Sequence, residues 1–127
     1  YHDTPIAGCF LIESQPYADE RGVFMRHFDS YEMALKGCNG LVRHANLSIN
    51  PKRGTFRGFQ YQEPYGEAKT LSCITGRITD YVIDLRPKSE TYLKTHAAIV
   101  IGGFAIHVPA GCANAFYTGE DNTIVNY

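Results

Sequence analysis

The 127-residue chain lacks an excess of charge of either sign: 12 Lys and Arg stand against 13 Asp and Glu, a formal net charge of −1. That balance leaves no electrostatic footprint for nucleic acid and no polybasic patch for a membrane surface. No apolar run approaches the ~18 residues that span a bilayer. Residues 1–25 contain no basic segment followed by an apolar one, so no signal peptide is read there. There is no C-x-x-C; Cys9, Cys38, Cys73 and Cys112 are widely spaced. This argues against a zinc knuckle or thioredoxin-like site, and for reduced, mostly core thiols in a cytoplasmic protein. Nor is there a His-x-His among His2, His27, His44, His96 and His107. A histidine-and-carboxylate metal triad has no suitable spacing, so no metal is expected. His107, just before Val108-Pro109, reads as a strand-end residue near the surface.

What is present is a succession of short β-type runs broken by turn residues. The runs are 8–13, 23–28, 42–50, 55–61, 68–74, 77–85, 91–100, 104–108, 113–118 and 123–127. One helix is expected, with Asp29 as N-cap, Glu32 three residues on, and Gly37 as a stop. Many short strands with regular turn signals, and no repeats or linkers, predict one all-β domain: a sandwich or barrel whose strand count fits a jelly roll. The chain starts at Tyr1 and ends at Tyr127 inside an apolar pattern, which reads as a piece of a longer protein. Two runs alternate cleanly. Asp80, Val82, Asp84 and Arg86 share one face against Tyr81, Ile83 and Leu85, and His44, Asn46, Ser48 and Asn50 share one against Ala45, Leu47 and Ile49. Either polar face meets water, or it lines an interior that holds a charged ligand. Alternation alone leaves both open.

The run Arg57-Gly58-Phe59-Gln60-Tyr61-Gln62 resembles a signature of the dTDP-4-dehydrorhamnose 3,5-epimerase family, cupin-type isomerases of 4-keto nucleotide sugars. The family pattern is Arg-Gly-any-His-any-Gln. The likeness continues through Asp19-Glu20-Arg21-Gly22-Val23-Phe24, Asn46-Leu47-Ser48 and Lys69, seven residues before Gly76. It runs on through Asp80, Asp84-Leu85-Arg86, Ser89-Glu90-Thr91-Tyr92 and Val108-Pro109-Ala110-Gly111. Each motif is short; their order and spacing carry the resemblance.

The resemblance implies a cupin jelly roll, a nucleoside diphosphate-sugar ligand, no cofactor, and a homodimer. It implies proton removal beside the keto group by a His and proton return by a Tyr through an enolate, with cations on the diphosphate. By position, Arg21, Arg57 and Lys69 correspond to residues on the phosphates or keto oxygen, Asp80 to a carboxylate of the site, and Tyr127 to the acid. Asn46 is a further candidate contact. Two positions depart from the pattern: Gln60 stands where the family has its base, and Asn114 where it has a second His. His44 stands where many relatives have glutamine. A carboxamide takes up no proton near neutral pH. Three explanations follow: an inactivated epimerase, chemistry relocated to His44 or Tyr127, or a sugar-nucleotide-binding cupin without turnover.

Overall fold

In a computed structural model that describes residues 1–64 and 66–127, these signals become twelve strands and one helix among the described residues. The order is β1 His2–Asp3, β2 Phe10–Glu13, β3 Pro16–Asp19, β4 Gly22–Met25, α1 Ser30–Leu35, β5 Leu47–Asn50 and β6 Phe56–Gln60. Then follow β7 Lys69–Thr75, β8 Arg77–Asp84, β9 Thr95–Ile101, β10 Phe104–Val108, β11 Cys112–Thr118 and β12 Thr123–Asn126. Two antiparallel sheets, β1-β2-β10-β7-β12-β5 and β6-β11-β8-β9, form the jelly roll, and β3-β4 is a separate hairpin.

The core lies between the sheets. Ile78, Val82 and Val100 of the four-stranded sheet meet Leu71, Cys73, Ile106, Val108 and Val125 of the six-stranded one, with Phe116 and Cys112 at its side. Each such side chain stabilises the fold by about 1.5–3 kcal/mol on full burial. Gly76 is the single residue between β7 and β8, which belong to different sheets. It adopts φ +77° and would drive a Cβ into Thr123, so the corner requires glycine on both counts. Cys9, Cys73 and Cys112 are buried and Cys38 is partly so; all four are free thiols.

The helix starts as its cap dictates: Asp29 accepts from the backbone N–H of Tyr31 at 2.9 Å and of Glu32 at 3.0 Å. It buries Met33 and stops before Gly37, at φ +76°. Several bounds differ from the sequence reading. Residues 42–46 are not strand, because only Asn46 of that stretch finds a ladder partner, Tyr127, with N–H to O bonds of 2.7 and 3.0 Å. Thr91 falls in a turn, where its hydroxyl bonds Asp84, and β9 starts at Thr95. Strands β1 and β3, which the sequence does not mark, are exposed throughout, so neither has an alternating face to signal it.

Where they form strands, the two alternating runs turn polar residues inward. Ile78, Asp80, Val82 and Asp84 are buried while Tyr81 is exposed. Ser48 and Asn50 are buried while Leu47 and Ile49 face outward. The water-facing alternative is thereby overturned for Asp80, Asp84, Ser48 and Asn50, whereas His44 and Asn46 of the second run are exposed and lie outside the strand. His107 is also corrected: it is 3% exposed, because β10 lies between β2 and β7 inside the six-stranded sheet. Among the described residues, no helix is long and apolar enough to cross a membrane.

Candidate active site

Where β7 begins and β12 ends, a cavity of about 650 Å³ opens beneath the segment that follows α1. Its volume is within the usual range for small-molecule sites, ~300–1,000 Å³. Four residues expected in the site line it: His44 and Asn46 from that segment, Lys69 at the start of β7, and Tyr127 just past β12. The backbone pairing of Asn46 with Tyr127 holds two of these walls together. Arg43 and Lys69 bring positive charge, and Glu67 is the carboxylate on the lining among the described residues.

Lys69 connects the cavity to the four-stranded sheet. Its Nζ donates to Gln60 Oε1 at 3.4 Å. Gln60 pairs in register with Asn114 on β11, and Asn114 Nδ2 donates to Asp80 Oδ1 at 3.0 Å. Lys69, Gln60, Asn114 and Asp80 thus form one polar row, although only Lys69 of the four lines the cavity. Arg57 makes a second connection: its Nε donates to Asn50 Oδ1 at 2.8 Å, across from β6 to β5. Arg21 is not brought in. It sits at the exposed turn between β3 and β4, its side chain 85% accessible, paired with Asp19 at 2.6 Å.

The site also contains residues that the sequence does not place in it. His27 Nε2 lies 3.2 Å from Ser72 Oγ and 3.1 Å from Asn126 Nδ2, and His107 Nδ1 lies 3.0 Å from Thr70 Oγ1. All of these line the cavity. The sequence separations are 45, 99 and 37 residues, so no local pattern signals them. Among the described residues, no group of three or more His, Cys, Asp or Glu is placed to hold a metal ion.

The sequence model of the dTDP-4-dehydrorhamnose 3,5-epimerase family matches residues 3–127. The chain belongs to that family. A dTDP-4-dehydrorhamnose 3,5-epimerase of Methanothermobacter thermautotrophicus is 32% identical over 126 residues, which cover 98% of this chain and 68% of that protein. One from Streptomyces griseus is 31% identical over 96% of this chain and 62% of its own length. The chain thus spans about two thirds of the curated relatives it matches. The crystal structure of the Elizabethkingia anophelis enzyme superposes with a TM-score of 0.92 at 30% identity, over 98% of this chain and 70% of that one. The likeness to such cupin epimerases agrees with the jelly roll seen here.

Within this member of the epimerase family, Asp80 is an unusual carboxyl. It is fully buried, and its Oδ2 has no hydrogen-bond partner. Burial raises its pKa from 3.8 to about 7, against the opposing effects of the Asn114 hydrogen bond and the Lys69 charge. The folded protein therefore holds a proton that the unfolded chain releases between about pH 4 and 7. Stability falls as pH rises through that window, by about 1.4 kcal/mol per unit of pKa difference. Asp80→Asn keeps the shape and removes the titration. Thermal melting between pH 4.5 and 8 is expected to flatten in the variant.

Proposed function

We propose that this chain binds a nucleoside diphosphate 4-keto-deoxy sugar in the cavity and catalyses cofactor-free epimerisation beside the keto group through an enolate. The observation that carries the reading is the meeting of Lys69, Asn46, His44 and Tyr127 on one cavity in a chain of this family. The positive charge of Lys69 and Arg43 suits a diphosphate and an enolate oxygen. Tyr127 serves as proton donor, Asn46 as a hydrogen-bonding wall, and Asp80 and Asn114 as the support behind Gln60. Arg57, tied to Asn50, reinforces the same interior.

The test is calorimetric titration with dTDP, together with solvent deuterium incorporation into dTDP-4-keto-L-rhamnose followed by NMR. Saturable dTDP binding with exchange of the hydrogens next to the keto group is expected. Gln60 and Asn114 favour a second reading, a sugar-nucleotide-binding cupin without turnover. Binding with no exchange would establish that reading instead.

A homodimer is part of the proposal. The outer face of the four-stranded sheet exposes Tyr81, Ile99, Ile101 and Tyr117, and the β3-β4 hairpin exposes Tyr17, Val23 and Phe24 next to Arg21. Exposed apolar residues of this kind suit a protein partner, and a second copy on the outer face of the four-stranded sheet is the occupant proposed here. Ile99→Glu is expected to shift the sedimentation coefficient from that of two chains to that of one. An unchanged coefficient would count against this face.

A further inference from the structure

We infer that His44 is the base that removes the carbon-bound proton in this chain, an assignment that rests on the epimerase reading above. Gln60 has no basic lone pair at neutral pH, and Asp80 is sealed behind Asn114, away from the cavity lining. The base must therefore come from the wall itself. Three imidazoles line it with Lys69 and Tyr127: His27, His44 and His107.

A catalytic imidazole needs an uncommitted nitrogen lone pair facing the substrate. His107 fails on access: it is 3% exposed, its Nδ1 is bonded with Thr70 Oγ1 at 3.0 Å, and burial lowers its pKa. His27 fails on occupancy. An amide nitrogen donates, so Asn126 Nδ2 at 3.1 Å takes up the Nε2 lone pair, and the proton of a neutral ring must sit on Nδ1. Ser72 Oγ crowds the same nitrogen at 3.2 Å. His44 differs from both. It is exposed to the cavity, and among the described residues no side-chain hydrogen bond holds its ring. It is two residues from Asn46, whose backbone is paired with Tyr127 in both directions. Glu67 also lines the cavity, but a carboxylate is the weaker base of the two group types.

The step balances without a cofactor. The His44 imidazole accepts the proton from the carbon next to the keto group as that C–H bond breaks. The electron pair forms the C=C bond of the enolate, and the carbonyl π pair moves to the oxygen, which faces the Lys69 ammonium. The Tyr127 hydroxyl then gives its proton to the carbon as the C=O re-forms. Imidazolium and phenolate are left, and proton exchange with water restores both.

The test compares the unmodified chain with His44→Gln and His44→Ala in D2O with dTDP-4-keto-L-rhamnose, reading exchange by NMR and dTDP affinity by calorimetry. Exchange is expected to fall by about 100-fold or more in both variants, the range of general-base catalysis. Affinity for dTDP is expected to stay within about threefold, and added imidazole to restore part of the exchange in His44→Ala. Exchange at the unmodified rate in His44→Gln would overturn the assignment while leaving the epimerase reading intact. So would a loss that falls on Glu67→Gln and spares His44→Gln. An unmodified chain that binds dTDP without exchange would overturn both together.

Discussion

Asp84→Ala is expected to lower the stability of the fold by about 3 kcal/mol or more, the cost of breaking a buried ion pair by removing one partner. The carboxylate is fully buried at the end of β8. It accepts from Arg86 Nε and Nη2 at 2.8 Å each, from the Arg86 backbone N–H at 2.9 Å, from Ser89 Oγ at 2.7 Å and from Thr91 Oγ1 at 2.6 Å. Arg86 in turn donates to the Ala7 carbonyl at 2.7 Å. One side chain thus organises the β8–β9 connection and ties the N-terminal segment to it. The Arg86 bond, helped by both hydroxyls, holds the Asp84 pKa well below its ordinary value. A depressed carboxylate pKa contributes stability that is complete above about pH 4 and is lost as pH falls toward the folded-state pKa. Urea unfolding at pH 7 is expected to show the full difference between variant and unmodified chain. The gap should narrow below about pH 4. Asp84→Asn, which keeps the size but not the charge, is expected to fall between the two. A variant as stable as the unmodified chain at pH 7 would mean that the cluster only decorates the turn.

Tyr127→Phe is expected to reduce deuterium exchange into dTDP-4-keto-L-rhamnose by about 10²–10⁴-fold, the usual contribution of a positioned proton donor. The ring packs against the hydrophobic core and lines the cavity, and the backbone is fastened to Asn46. Phenylalanine keeps all of that and removes only the hydroxyl. The melting temperature should therefore stay within a few degrees, and dTDP affinity within about threefold. Equal losses of exchange and of stability would indicate a packing role for the ring. Unchanged exchange would move the acid elsewhere.

The elements most legible in the sequence were those set by local rules. Asp29 as a cap and Gly37 as a stop mark the helix because both act within one turn of chain. The bounds of Phe104–Val108 are legible to the residue, because it lies between a glycine pair and a proline. The stretch 42–46 alternates without being strand, because alternation reports a face, whereas a strand also needs a partner, and only Asn46 has one. The period of Arg77–Asp84 was visible, but not the direction of its polar face. A wet exterior and a polar interior leave the same alternation in one strand, and only the opposing sheet distinguishes them.

By itself, the sequence determined the family, the jelly-roll class, the reacting side chains on offer, and the carboxamides Gln60 and Asn114. Those follow from residue identity and order. The tertiary structure alone decided that Asp80 and Asn50 point inward, that Arg21 stands apart from the cavity, and that His107 is buried. It also decided which imidazole keeps an uncommitted nitrogen. That depends on neighbours up to 99 residues away, such as Asn126 against His27. A hydrogen-bond partner at that separation is chosen by sheet register, which no local pattern encodes.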